Sequence, residues 1–164
     1  MKLEEVILQS KQLQIKTNIM AWYHFSNPFK EKIKENSVNN VPHEIYGYDF
    51  DGVISIGVNP RNQCDVIITG RCIDESDYVN SILKERGIKN TVYFNQMLLA
   101  DRGNHSLKAR RYSGNHKAKT ISELKERGVN ITRFFEDDPV QMKCILRDHK
   151  NLNVVHIKSE LVQK

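Results

Sequence analysis

No apolar run in the 164-residue chain approaches the ~20 residues that a membrane helix needs, so a spanning segment is not expected. The start, MKLEEVILQSKQLQ, carries acids early and has no uninterrupted apolar core, which argues against a secretory signal. Cysteine is scarce. Cys64, Cys72 and Cys144 are an odd number without a CxxC pair, which suits reduced thiols in a cytoplasmic, soluble protein better than a disulfide framework. The six histidines show no zinc-like spacing with one another or with the cysteines. A glycine-rich phosphate loop of the nucleotide-kinase kind is missing, so a fused kinase activity is not expected. Repeats and low-complexity tracts are missing too. What remains has the length of one domain with a proper core.

What is there begins with charge. The net charge of +5 and the isoelectric point near 9.1 lean towards a polyanionic partner. Residues 2–24 carry an apolar stripe (Leu3, Val6, Ile7, Leu13, Ile19, Met20, Trp22, Tyr23) that predicts a helix, and Asn27-Pro28 reads as the cap and first position of another. An Asn-rich linker, ENSVNNVP, closes this stretch, so residues 1–43 are expected to form a helical extension and residues 44–164 a single core. In that core the pattern alternates. Residues 44–50, 65–70, 90–95, 131–136 and 152–157 read as strands, and 74–87, 117–128 and 139–150 as helices. Such alternation predicts an α/β fold: a parallel sheet of about five strands, covered on both faces in a three-layer sandwich. In these sheets ligands bind at the carboxyl ends of the strands.

The strand ends therefore deserve a residue-by-residue reading. The first delivers Asp49 and Asp51 in YGYDFDGVI, two carboxylates on one side of a strand. Close together they repel and raise each other's proton affinity unless a cation sits between them. The second delivers Thr69, Gly70 and Arg71, a hydroxyl, a flexible backbone position and a cation. The fourth delivers Glu136, Asp137 and Asp138, and the helix that leads into it starts with Lys117 and Lys119. Carboxylates, a hydroxyl and an ammonium are thus brought to one edge of the sheet.

In this order, DFDGV, IITGR, HKAKTI and FFEDDP resemble the four motifs of the haloacid dehalogenase superfamily of phosphohydrolases, over roughly residues 44–158. The resemblance implies a Rossmann-like core and an aspartyl-phosphate mechanism, with Asp49 as nucleophile and Asp51 protonating the leaving oxygen and then deprotonating water. It gives Thr69 a hydrogen bond to the phosphoryl group, with Gly70 and Arg71 beside it on the substrate, and gives Lys117 the neutralising role. Lys119 competes for that role, but Ile121 and Leu124 follow Lys117 at the offsets usual in the family. Mg²⁺ is the implied cofactor, held by Asp49, the Asp51 carbonyl and Asp137, with Asp138 binding through a water or steadying the other ligands. Glu136 stands where many relatives have glycine, which leaves the roles within the acidic cluster open.

Departures from the family pattern narrow the reading. Between Asp51 and Asp65 there is room for a turn and a short hairpin only, so the N-terminal helices are expected to cover the face that a missing helix leaves bare. The segment between the third strand and Lys117 has no clear core pattern and is too short for a folded cap, so the site is expected to be open to large substrates. Nucleic-acid ends or nucleotides lead as substrates, with small sugar phosphates as the alternative and a non-catalytic nucleic-acid-binding module as the non-enzymatic one. Within residues 102–119, Arg110 and Arg111 are expected to hold backbone phosphates, with Tyr112 stacking on a base.

Overall fold

The computed structural model describes residues 44–158, and the helices expected before residue 43 lie outside that range. Five strands form one parallel sheet: β1 (Ile45–Tyr48), β2 (Val66–Cys72), β3 (Thr91–Asn95), β4 (Ile131–Glu136) and β5 (Asn153–His156). Their spatial order is β3-β2-β1-β4-β5. The chain thus builds outwards from β1 to one side, then crosses back to build β4 and β5 on the other. β1 is the central strand and the place where the direction of winding reverses, which in open α/β sheets is where ligands bind.

The helices are α1 (Ser76–Glu85), a single turn α2 (Leu99–Arg102), the long α3 (Leu107–Glu126) and α4 (Pro139–Asp148). Alternation along β1 sends Tyr46 and Tyr48 to one face, where they form a core with Ile67 and with Val79 and Leu83 of α1. Gly47 turns to the other face, where a Cβ would stand 2.4 Å from the Phe134 ring, so only glycine lets Phe134 pack there. On that second face α3 comes unusually close to β2: a Cβ on Gly70 would meet Ser113 at 2.6 Å. Gly114, the next residue, brings α3 equally near α4, where a Cβ would stand 2.8 Å from that of Cys144. No helix among the described residues is long and apolar enough to cross a membrane.

Two connections differ from the sequence expectation. The β1–β2 link holds no hairpin. It makes one 3₁₀ turn at Ile54–Ile56 and then an irregular path whose polar groups are satisfied locally. The buried Asp65 organises that path: its carboxylate accepts from Tyr46 N (2.8 Å), Arg61 N (3.0 Å) and the Arg61 guanidinium (3.1 and 3.2 Å). The Asn62 side chain also accepts from Cys64 N and Asp65 N, closing the loop on itself. The second difference is α3, which begins ten residues before Lys117, capped by Ser106 Oγ accepting from Ala109 N at 3.0 Å. Residues 107–116 are therefore helix and not loop.

Candidate active site

β1 ends by placing Asp49 beneath the carboxyl edge of the sheet. Its backbone N–H donates to the Phe135 carbonyl of β4 (2.9 Å), and its side chain accepts from Phe50 N (2.7 Å). The residue is 2% exposed. Opposite it, the close approach of α3 drives Lys117 into the same space, and this side chain is completely buried. Lys117 Nζ lies 2.8 Å from Asp49 Oδ1 and 2.6 Å from Glu136 Oε2. One ammonium thus serves two buried carboxylates.

The electrostatics follow from that ratio. Burial and then the charge of Glu136 push the Asp49 carboxyl well above the ordinary range, against the pull of Lys117. Burial raises Glu136 as well, while the Lys117 ammonium and the Asp138 N–H on its other oxygen (3.1 Å) work in the opposite direction. Lys117 pays for burial but is held above the usual ammonium range by its two carboxylates. His116, the preceding residue, is pushed down to about 4 by burial, so at neutral pH it adds no charge beside Lys117.

Asp137 completes the group. Carboxylate oxygens of Asp49, Glu136 and Asp137 lie within 4.8 Å of one another, all three residues being buried. Gly52 makes room for this: its φ of +71° favours glycine, and a Cβ there would stand 2.0 Å from Asp137 Oδ2. Three carboxylates at this spacing are an all-oxygen donor set of the kind that holds a hard divalent cation.

Asp51, Arg71 and Thr69 stand at the neighbouring strand ends. Asp51, with 41% of its side chain exposed, is held by the Arg71 guanidinium through two bonds, Nε to Oδ2 (2.9 Å) and Nη2 to Oδ1 (2.8 Å). Arg71 also donates to Glu75 Oε1 (2.8 Å), and the Asp51 bond holds its guanidinium above the ordinary range. Thr69 is fully buried, its Oγ1 accepting from Arg71 N at 3.1 Å.

Three placements bear on the sequence reading. Asp138 is absent from the carboxylate group at the centre. It caps α4, accepting from Val140 N (2.7 Å), and is clamped by Arg110 through bonds of 2.7 Å to each oxygen. Burial would raise its carboxyl, but the Arg110 bond outweighs that and holds it below the ordinary range. Arg110 is for the same reason committed to tying α3 to α4 and is not a spare cation for substrate phosphates. Lys119 points away: its side chain is 78% exposed and meets Glu123 at 3.7 Å, so it does not compete with Lys117. Arg111 is exposed on α3, and Tyr112 is half-buried with Lys108 Nζ 5.6 Å from its ring centre.

Sequence reasoning named Glu136 without its direct bond to Lys117, and it passed over Tyr78, whose ring lies 4.8 Å from the Arg71 guanidinium. The first had a signal, an acid in the right cluster. The second had none, because Tyr78 is one aromatic residue on an amphipathic helix.

No protein-family model, curated protein or solved structure matches this chain.

Proposed function

We propose that the protein is a phosphomonoester hydrolase of the haloacid dehalogenase type, working through an aspartyl-phosphate on Asp49. The observation that carries this reading is the buried group in which Lys117 bridges Asp49 and Glu136, with Asp137 beside it. A purely structural ion pair would match one ammonium with one acid, whereas here acids of one sign converge at the carboxyl edge, at the point where the winding of the sheet reverses.

In this reading Asp49 attacks phosphorus with one carboxylate oxygen while Lys117 offsets charge on Asp49 and on the phosphoryl oxygens. Phe50 N–H and the Lys117 ammonium both bind Asp49 Oδ1, which orients the carboxylate and leaves Oδ2 to act. Asp51, at the open rim, protonates the leaving oxygen and then takes a proton from the water that cleaves the acyl phosphate. For that it must exchange its bonds with Arg71, so Arg71 is placed to pass from Asp51 to a substrate oxygen. Thr69 and the Gly70 backbone lie at the adjoining strand end, where the phosphoryl group would be received.

The donor set fits Mg²⁺: the carboxylates of Asp49, Glu136 and Asp137 are hard oxygen donors that lie close together, and Asp49 and Glu136 share one ammonium. Asp49 and Asp137 would hold the ion, with Glu136 steadying the set through Lys117. When bound, the ion supplies charge neutralisation at the phosphoryl oxygens. Nucleic-acid ends and nucleotides stay the proposed substrates, and sugar phosphates the alternative. Arg110 no longer speaks for the first, because Asp138 occupies it.

The test is phosphate release by the full chain from a terminally phosphorylated oligonucleotide, mononucleotides and sugar phosphates. Activity should require Mg²⁺, vanish with excess chelator and return when Mg²⁺ is restored. Full turnover in chelator, or no release from any phosphomonoester with Mg²⁺ present, would overturn the reading.

A further inference from the structure

Tyr78 opens the first full turn of α1 and is 51% exposed, although it is one of the larger apolar-bodied side chains of the domain. Its surroundings are specific. The ring meets Phe50 edge-on with centroids 6.3 Å apart, and Phe50 is the residue between Asp49 and Asp51. The Arg71 guanidinium, which clamps Asp51, lies 4.8 Å from the ring centre. Tyr78 is therefore fixed on two sides by residues that belong to the candidate active site, and it is open on what is left.

A second feature lies at the same rim. The turn Ile73–Glu75 and the start of α2 are tied by Leu99 N donating to both Asp74 carboxylate oxygens at 3.2 Å. Ile73 (40% exposed) and Leu98 (51%) are thereby carried to one edge, next to the strand end that bears Arg71. Scattered exposed apolar residues need no explanation, but an exposed aromatic ring set between Phe50 and the arginine that clamps Asp51 does.

Resting on the phosphohydrolase reading, we propose that Tyr78 is the platform on which a base of the substrate stacks, so that the site selects phosphomonoesters whose phosphate stands one sugar away from a nucleobase. Base–aromatic stacking tolerates every base, since each has a π-face, so the platform selects the class of nucleotide and not a particular letter. The place of Arg71 fits the same division of labour: it contacts both the ring and Asp51, as the sugar of a nucleotide joins its base to the attacked phosphorus. Tyr78 touches no reacting atom in this scheme and determines specificity only.

The experiment compares wild type, Tyr78→Ala and Tyr78→Phe with Mg²⁺, on adenosine 3′- and 5′-monophosphate and on glycerol 2-phosphate, which has no ring. Equilibrium binding of both adenosine monophosphates is measured alongside by calorimetry. Tyr78→Ala should raise KM and Kd for the better adenosine monophosphate about tenfold, with kcat and all glycerol 2-phosphate constants unchanged, and Tyr78→Phe should restore wild-type values. Equal losses on glycerol 2-phosphate would mean that Tyr78 only supports Arg71, and would overturn the proposal. Unchanged adenosine monophosphate binding in Tyr78→Ala would overturn it as well. If wild type releases phosphate from nothing, the hydrolase reading falls, whereas a Tyr78-dependent Kd would leave the base platform standing.

Discussion

The domain buries acids at both ends of its sheet, and the two ends treat them differently. At the amino end of β2, Asp65 stands alone. It is fully buried, accepts from one arginine and from two backbone N–H groups, and lies 3.4 Å from the Tyr48 hydroxyl. Arg61 then covers it, its guanidinium lying over the Tyr46 ring at 3.1 Å and donating to the Glu44 carbonyl. One acid has a surplus of donors. At the carboxyl end, Asp49 and Glu136 divide a single ammonium and a third acid stands close by. A buried charge that is fully answered fastens a loop, whereas two buried acids that share one ammonium raise each other's proton affinity.

The largest effect should come from breaking the second end. On the proposed mechanism, Asp49→Asn keeps the size of the side chain and removes the attacking charge, so turnover should fall roughly 10³-fold or more while the protein still folds. Phosphate release measured on the purified variant checks this, and substantial residual hydrolysis would take the nucleophile role from Asp49. Breaking the first end should act on stability instead. Asp65→Ala leaves Tyr46 N and the Tyr48 hydroxyl without their acceptor in the core and should lower unfolding free energy by about 3 kcal/mol in denaturant titration. Turnover per folded molecule should stay near wild type. A stable Asp65→Ala would mean that the β1–β2 loop is held by something else.

The smallest effect sharpens the contrast through pH. Asp49 and Glu136 have raised carboxyl pKa values in the fold, so in chelator their contribution to stability is complete below the ordinary carboxyl range and is lost as pH rises through the raised values. Asp49→Asn removes part of that loss. In thermal melts with chelator, the stability of Asp49→Asn relative to wild type should therefore grow as pH is raised above about 4. A difference independent of pH would show that burial does not raise the two carboxyls.

Much of the sheet was legible because its strands are β-branched and aromatic runs that end on polar residues, and the order of the strand ends survives without knowledge of any contact. IITGR and FFEDDP could be placed on this ground alone, and β4 runs over the expected Ile131–Glu136. The front half of α3 was illegible for a physical reason. Its inward positions are Ala109, Ser113 and Gly114, chosen small so that the helix can approach β2 and α4, and a reading that looks for large apolar residues sees only a basic loop. The pairings of Arg110 with Asp138 and Arg71 with Asp51 span 28 and 20 positions, and no local pattern carries such information. Lys117 was separable from Lys119 by the apolar Ile121 and Leu124 that follow it, and the rotation of α3 buries the first and exposes the second.

The central position of β1 bears on how the molecule comes into being. β1 is the first of the described strands, but one of its two neighbours is β4, and Thr132 reaches the Ile45 carbonyl across 87 positions of chain. Pairings of that span are slow to find, because a long loop must close before any contact rewards it. During synthesis, Asp49 leaves the ribosome long before Phe135, which receives its N–H, and before Glu136 and Asp137, which surround its carboxylate. The end of the sheet that gathers these acids is accordingly assembled late, and a chain interrupted before β4 carries Asp49 without the two acids that group with it.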